Sequence, residues 1–493
     1  MSTADSGSLR GTAVRGVKWT TLGMITVTAL GLIQVAILAR LVSKADFGLM
    51  SMIATVVGFA QVYADAGISN AIIYHQEAER DQLSSLYWTN VGVSVTIGVV
   101  VAVSAPLVAS FFREPGLVQP LRLMSLTFVI TPLGQQFQVL LQRDLEFGLL
   151  ARRDMAAAAA GLVVAVALAA AGQGVYALVG GQLTQATVRA STTAAVGWMR
   201  WRPRLHWRWS DMRGFVSFGL YQMGEQSIYY WAANVDYLLI GRYLGPSQLG
   251  VYTIAYNLVV VPVSKLNPVL TKVAFPLFAR RQDDPDAMRR GFGELIEVVA
   301  FLAFPLLIGL GVTASLAVPV IFGPSWQEAV VLVQIMVAMG VLKCLSNPLG
   351  SVLLAKGRAD VGFWLNVAST TVTVGILWAV VSHGTGAVAW GHTVVNLSFF
   401  FVELWLIGRI VGMGWLEYLR RLARPAVTAA SMGLVVLGLQ VTLRPTGLGQ
   451  AFELGVLVTA GAVAYLVAWR VVSRGYVRSY WAMVRGTGRE AVE

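Results

Sequence analysis

The sequence has few of the residues that mark a soluble or disulfide-stabilised enzyme. It contains one cysteine in 493 residues, Cys344, so no internal disulfide can form and no cysteine-based metal or redox motif is present. Only 13% of the residues are charged, whereas a soluble domain carries roughly a quarter. The four histidines have no metal-ligand spacing, and no Gly-Lys dipeptide is present to form a Walker A loop. We therefore expect no catalytic residues, no metal site and no cofactor.

Long polar stretches are also lacking, and apolar runs take their place. The chain is 56% hydrophobic, and its mean hydropathy is +0.67. A helix that crosses a bilayer needs about 20 mainly apolar residues, and unpaired backbone groups in lipid exclude irregular structure. The pattern predicts an all-α integral membrane protein with about fourteen spans. They are 16–39, 47–70, 87–112, 119–141, 155–172, 175–198, 215–241, 248–275, 294–322, 328–354, 361–381, 385–408, 425–443 and 452–471.

The distribution of basic residues predicts the orientation. The net charge is +12, and most of the 37 Lys and Arg residues fall in alternate connections, on the side that also holds both termini. Cytoplasmic loops carry such an excess of basic residues, so we expect both termini to lie on the cytoplasmic side. The membrane is expected to be a bacterial inner membrane. The first apolar run is too long for a cleavable signal peptide.

An internal repeat divides the chain. The segment 39–48 (ARLVSKADFG) resembles 241–250 (GRYLGPSQLG), with the arginine and the closing glycine of each at the same offset. Because six spans per half is an even number, the halves share one orientation, which is a transporter plan. The alternative is a common hairpin turn that occurs twice. The predicted parts are a six-helix lobe over 1–198, a linker over 199–214, a second six-helix lobe over 215–410, and two further helices with a tail over 411–493.

The linker interleaves Arg and Trp, a pattern typical of a lipid headgroup layer. Membrane lipids are thus expected partners, and nucleic acid is not. The acidic run Asp283–Asp286 resembles a metal–nucleotide-sugar motif, but a solvated turn is the favoured interpretation because no domain surrounds it.

Polar residues recur on single faces of several spans and are the candidate functional residues. A charge at mid-bilayer costs about 2.5–3.5 kcal/mol or more, so it should face a wet cavity or a partner. Arg189 and Lys343 lie near the middle of their spans, whereas Lys265 could snorkel. The acidic residues Glu225, Asp236 and Glu403 could bind a coupling proton or cation, and Glu225 or Asp236 could instead pair with Arg189. The uncharged candidates are Gln135, Gln138, Gln182, Gln185, Gln222, Tyr229, Tyr252, Tyr256 and Asn347.

Several motifs in order resemble the polysaccharide transporter (PST) family of the MOP flippase superfamily. They are 38–48 (LARLVSKADFG), 65–67 (DAG), 141–147 (LQRDLEF), 234–236 (NVD), 240–245 (IGRYLG) and 249–256 (LGVYTIAY). The resemblance implies a MATE-like fold with two lobes around a central cavity, and a Wzx-type flippase. Such a protein moves undecaprenyl-pyrophosphate-linked oligosaccharide from the cytoplasmic to the periplasmic leaflet for exopolysaccharide, O-antigen or capsule assembly, by alternating access.

Buried Arg or Lys suits a pyrophosphate, so we expect Arg189 and Lys343, then Lys265, to contact it. Arg40 and Arg242 are expected to be structural hairpin residues rather than contacts at the outer mouth. Proton or cation coupling and a polysaccharide polymerase are further expected partners, and a monomer is expected to suffice. An ion-coupled multidrug antiporter of the same superfamily stays open because of the acidic residues. A membrane glycosyltransferase or polymerase is disfavoured because the outer loops are short.

Overall fold

The computed structural model describes residues 3–64, 79–279, 284–443, 445 and 449–472. Over these residues the chain forms α-helices joined by short turns, with no strand, which confirms the all-α prediction. The helices are α1 (Thr3–Leu41), α2 (Lys44–Ala64), α3 (Arg80–Phe112), α4 (Val118–Met124), α5 (Thr127–Arg143), α6 (Phe147–Ala170), α7 (Val175–Arg200), α8 (Arg213–Ala279), α9 (Pro285–Phe322), α10 (Glu328–Ala355), α11 (Ala359–Val380), α12 (Thr385–Ile410), α13 (Trp415–Leu443) and α14 (Gln450–Val472).

The described parts of the predicted spans lie on these helices. α4 and α5 together form the fourth span, and α8 forms the seventh and eighth because it is interrupted at Gly245. That residue has φ 82° and ψ 177°, a backbone conformation that an L side chain rarely adopts. Within the described residues, eleven spans are long and apolar enough to cross a membrane. The count of fourteen crossings is consistent with these helices and stays a prediction.

The contacts between helices divide the chain into two compact units, Met1–Gly250 and Val251–Glu493. The division falls in α8 just after Gly245, because the part of α8 before that residue packs against α2. Tyr230 donates a hydrogen bond from its Oη to the carbonyl oxygen of Ala54 at 3.3 Å, and Trp231 packs edge-on against Phe59 with ring centroids 5.2 Å apart. The boundaries predicted for the two lobes stay a prediction.

The two repeated hairpins meet within the first unit, and their closing glycines make the contact reciprocal. A Cβ built on Gly48 would overlap the carbonyl oxygen of Pro246, and one built on Gly250 would overlap that of Lys44. Lys44 and Pro246 occupy matching positions in the two hairpins, four residues before the glycine in each case. Only a residue without a side chain permits this backbone approach. We name this contact the hairpin seam.

Asp46, in the first hairpin, connects that hairpin to a third helix. Its Oδ1 accepts a hydrogen bond from the backbone N–H of Val175 at 3.0 Å, and its Oδ2 accepts one from the Ser43 hydroxyl at 2.6 Å. Val175 is the first residue of α7, where backbone N–H groups have no partner within the helix. The carboxylate therefore caps α7 and suits the positive end of its dipole.

The segment after α7 is the predicted linker, and it lies along the first turns of α3. Trp88 Nε1 donates to the carbonyl of Arg204 at 2.8 Å, and the N–H of Arg204 donates to the Ser84 hydroxyl at 3.1 Å. Trp207 Nε1 donates to the Thr89 hydroxyl at 3.0 Å. The extended backbone of the linker is thus held by side chains of α3.

An apolar cluster lies beneath the linker. It consists of Leu83, Leu86 and Tyr87 of α3, Phe137 and Val139 of α5, and Trp201 of the linker. Tyr87, Phe137 and Trp201 contact one another at centroid distances of 5.8–6.3 Å. Burying Trp201 therefore fixes where the linker leaves α7.

In the second unit the last two helices belong to the main core. One cluster joins Phe292 and Ile296 of α9 with Val352 of α10, Tyr418 of α13 and Leu457 of α14. Because α13 and α14 share this cluster with α9, they are integral parts of the unit rather than appendages.

Candidate substrate-binding residues

A group of charged and amide side chains lies where α5, α6 and α7 meet. The guanidinium of Arg153 donates from Nε and Nη2 to Oδ1 of Asp154 at 3.1 and 2.7 Å, and from Nη1 to Oε1 of Gln138 at 3.0 Å. Arg189 Nε lies 3.4 Å from the same Asp154 oxygen. We name these four residues the arginine cluster; it contains two positive charges and one negative charge.

Burial differs sharply within the arginine cluster. The side chain of Arg153 is only 5% exposed, whereas those of Arg189 and Asp154 are 42% and 35% exposed. A buried charge is tolerated only when it is paired and hydrogen-bonded, and Arg153 meets both conditions. Arg189 is the cation that remains accessible to a ligand.

The position of Arg153 corrects one expectation from the sequence. The fifth span was predicted to begin at 155, which left Arg153 and Asp154 in a cytoplasmic connection. The helix in fact begins at Phe147 and places both residues in its second turn. The residues Leu149 and Leu150, just before the arginines, are the sequence signal that could have revealed the earlier start.

The glutamines of the first unit differ in their partners and in their exposure. Gln185 of α7 donates from Nε2 to Oε1 of Gln34 of α1 at 3.3 Å, so the two amides pair between helices. Gln182 is exposed, and Gln135 is half-buried. The neighbouring Gln136, which the sequence did not single out, is buried and donates to the carbonyl of Leu83 at 2.8 Å, a structural role.

In the second unit Lys343 of α10 faces Tyr256 of α8. Its Nζ lies 3.5 Å from the tyrosine Oη and 5.6 Å from the ring centroid. Tyr256 stacks on the buried Tyr252, with centroids 5.9 Å apart and planes 24° apart. A cation over an aromatic ring is stabilised by the ring quadrupole. Asn347, one turn from Lys343, is exposed.

The acidic candidates lie in different surroundings. Glu403 of α12 is half-buried and hydrogen-bonds to Ser346 of α10, while its Oε2 is enclosed without a hydrogen-bond partner among the described residues. Asp236 of α8 is 2% exposed and accepts a hydrogen bond from the N–H of Tyr237 at 3.0 Å. Neither residue belongs to the arginine cluster.

The remaining candidates are exposed or fall outside the description. Tyr229 is 73% exposed. The helix that carries Gln222, Glu225 and Lys265 is described, but these three side chains lie outside the described ones. The motif at 65–67 and Asp283 of the acidic run also lie outside the described residues. Among those described, no three His, Cys, Asp or Glu side chains converge as a metal site would require.

A helical membrane protein with accessible cations and paired amides inside its spans has the make-up of a transporter. Comparison with known proteins supports this class and makes it specific. The family described as "Polysaccharide biosynthesis protein" matches residues 37–331. The teichuronic acid biosynthesis protein TuaB of Bacillus subtilis (strain 168) is 33% identical over 455 residues, which cover 92% of this chain and 94% of that protein.

The lipopolysaccharide biosynthesis protein WzxC of Escherichia coli (strain K12) is 32% identical over 446 residues, 87% of this chain and 89% of that protein. Among solved structures, the lipid II flippase MurJ in its inward closed conformation matches with a TM-score of 0.74 at 10% identity, over 93% of this chain and 99% of that chain. At that identity the match shows the fold alone. The chain belongs to the polysaccharide biosynthesis protein family, which confirms the resemblance to polysaccharide transporters. It is a transporter rather than an enzyme.

Proposed function

We propose that this protein is a flippase that moves undecaprenyl-pyrophosphate-linked oligosaccharide repeat units from the cytoplasmic to the periplasmic leaflet, by alternating access, for the assembly of an exopolysaccharide, O-antigen or capsule. Family membership supports the class of substrate, a lipid-linked saccharide. The accessible Arg189 beside the buried Arg153 is the observation that links the proposal to particular residues. A charge-assisted hydrogen bond to phosphate is worth about 1.5–3 kcal/mol.

Arg189 in the first unit and Lys343 in the second are the cations that we assign to the pyrophosphate during its passage. Lys265 is the third candidate, on the strength of its position in the sequence. The amides of Gln135, Gln138, Gln182, Gln185, Gln222 and Asn347 and the hydroxyls of Tyr229, Tyr252 and Tyr256 suit sugar hydroxyl groups, which both donate and accept hydrogen bonds.

The location and the energy source belong to the same proposal. The excess of basic residues in alternate connections supports an inner-membrane protein with both termini in the cytoplasm. Glu403, Asp236 and Glu225 are the candidates for binding a coupling proton or cation, since a carboxylate within a membrane helix marks an ion pathway by default. A polysaccharide polymerase is the partner expected to consume the flipped repeat unit.

The test is a leaflet assay in a strain that lacks the gene. Lipid-linked oligosaccharides are extracted after exposure to a sugar-modifying enzyme confined to the periplasm. Without the protein, complete repeat units should accumulate unmodified, facing the cytoplasm. The wild-type gene should restore modification, whereas Arg189→Ala and Lys343→Ala should each lower the rate about tenfold or more, because each loses a charge-assisted hydrogen bond.

Arg358→Ala serves as the matched control, because Arg358 is an exposed arginine that pairs with the exposed Asp360, two residues away. It should restore modification fully. Modified but unpolymerised units in the deletion strain would place the protein after the flipping step and contradict the proposal.

A further inference from the structure

Asp154 lies between two arginines and contacts both through a single oxygen. Arg153 reaches Oδ1 with two N–H groups at 3.1 and 2.7 Å, and Arg189 Nε lies 3.4 Å from the same atom. The two contacts differ in kind. The first is a hydrogen-bonded pair with a buried arginine, and the second is an ion pair without hydrogen-bond geometry.

The guanidinium of Arg189 therefore has hydrogen-bond donors that its contact with Asp154 does not occupy. Its Nε is enclosed and has no hydrogen-bond partner among the described residues, yet the side chain as a whole is 42% exposed. The exposure falls on the rest of the side chain, which ends in the two Nη groups. Those groups carry the donors that a phosphate oxygen would accept.

The position of Arg189 along α7 argues against simple exposure of its charge to lipid. Arg189 lies eleven residues before the end of α7, roughly 16 Å along the axis at 1.5 Å per residue. The sequence predicts that α7 crosses the membrane as the sixth span, 175–198, and on that prediction the half-exposed ion pair faces water or a ligand, since a charge facing hydrocarbon would cost several kcal/mol.

We infer that Asp154 is a resident counter-ion for Arg189, which holds the guanidinium in place when no substrate is bound and competes with the substrate's phosphate for it. This inference rests on the proposed function, in which Arg189 contacts the pyrophosphate. A phosphate with more than one charge can displace Asp154 from Arg189 while Asp154 keeps its two hydrogen bonds to Arg153. When the phosphate leaves, Arg189 returns to Asp154, so the carboxylate assists release.

Asp154→Asn separates this role from a purely structural one. The asparagine Oδ1 can still accept hydrogen bonds from Arg153, but the competing charge is gone. Half-exposed ion pairs are worth up to about 1 kcal/mol, so the affinity for the pyrophosphate group should rise about fivefold. Tighter binding with slower release should lower the transport rate at saturating substrate while lowering the substrate concentration that gives half-maximal rate.

The experiment uses the full-length protein in lipid nanodiscs, with undecaprenyl pyrophosphate as the probe and undecaprenol, which has no phosphate, as its neutral counterpart. The matched control is Asp144→Asn, which removes an exposed carboxylate at the end of α5 that lies 3.9 Å from Arg143. Asp154→Asn should bind undecaprenyl pyrophosphate about fivefold tighter and undecaprenol unchanged. The gain should vanish when Arg189→Ala is added.

Three results would overturn the inference, and they point to different causes. If Asp154→Asn binds no tighter than Asp144→Asn while Arg189→Ala weakens binding, Asp154 is structural and the proposed function stands. If the gain persists in the Arg189→Ala background, Asp154 acts on another cation. If Arg189→Ala leaves binding unchanged and the wild type does not prefer the pyrophosphate lipid, the contact assumed by the proposed function fails as well.

A second variant covers the case in which Asp154→Asn does not fold. Arg153→Gln combined with Asp154→Asn removes the buried cation together with its counter-ion, so no uncompensated charge is left in the helix. The same tightening of undecaprenyl pyrophosphate binding is expected, and its absence in a folded double variant would refute the inference.

Discussion

The hairpin seam can be tested by adding one methyl group to each side in turn. In Gly250→Ala the new Cβ would overlap the carbonyl oxygen of Lys44, and in Gly48→Ala that of Pro246. The obstacle is a backbone atom, which cannot rotate away as a flexible side chain would. One hairpin must therefore move relative to the other.

The magnitude follows from two opposing effects. Replacing glycine by alanine within a helix favours folding by about 1 kcal/mol, whereas overpacking costs ~1–3 kcal/mol, and a backbone obstacle puts the cost at the upper end of that range. Each variant should therefore lose about 1–2 kcal/mol of unfolding free energy on balance. Denaturant titration of the purified protein in detergent measures this loss.

Gly92→Ala in α3 is the control, because a Cβ there meets no atom within 4 Å. It should be neutral or slightly stabilising. The double variant Gly48→Ala with Gly250→Ala should cost less than the sum of the single losses, because the movement that relieves one overlap helps to relieve the other. If Gly250→Ala is as stable as Gly92→Ala, or if the two losses simply add, the reciprocal contact does not hold the hairpins together.

Two further predictions concern the linker and the second unit. Trp201→Ala should lower the unfolding free energy by about 3–5 kcal/mol, because it empties a buried aromatic site. Trp207→Ala loses one hydrogen bond from an exposed side chain and should cost only ~1 kcal/mol. Equal losses in denaturant titration would refute the packing argument. Glu403→Gln keeps a hydrogen-bond acceptor for Ser346 but cannot ionise, so export should fall and should no longer respond to an imposed proton gradient. If transport in proteoliposomes depends on the gradient as before, Glu403 is not a coupling residue.

The sequence did not predict the partner of Arg189. Arg189 stands in a helix face of polar residues, and the cost of a charge in lipid was enough to predict that it faces water or a partner. The partners considered for it were Glu225 and Asp236. The structure shows Asp154, which the sequence had placed in a connection because the start of α6 was predicted too late. Helix ends depend on local capping and packing, so hydropathy locates them only within a few residues.

The repeated hairpins also combine a feature that the sequence reveals with one that only the structure shows. The matching positions of Arg40 with Arg242 and of Gly48 with Gly250 are visible in the sequence and predicted a repeat. Periodicity could not reveal that each glycine lies against the carbonyl four residues before the other, because that requires the two hairpins to be docked.

By itself, the sequence determined the all-α membrane class and the approximate positions of the helices. These properties follow from length, hydropathy and the cost of unpaired polar groups in lipid, which act on each segment alone. The tertiary structure decided that Gln138, Asp154 and Arg189 share one site and that Arg153 is buried beneath them. Such pairings depend on how α5, α6 and α7 are rotated and shifted against one another, and many packed side chains together fix that arrangement.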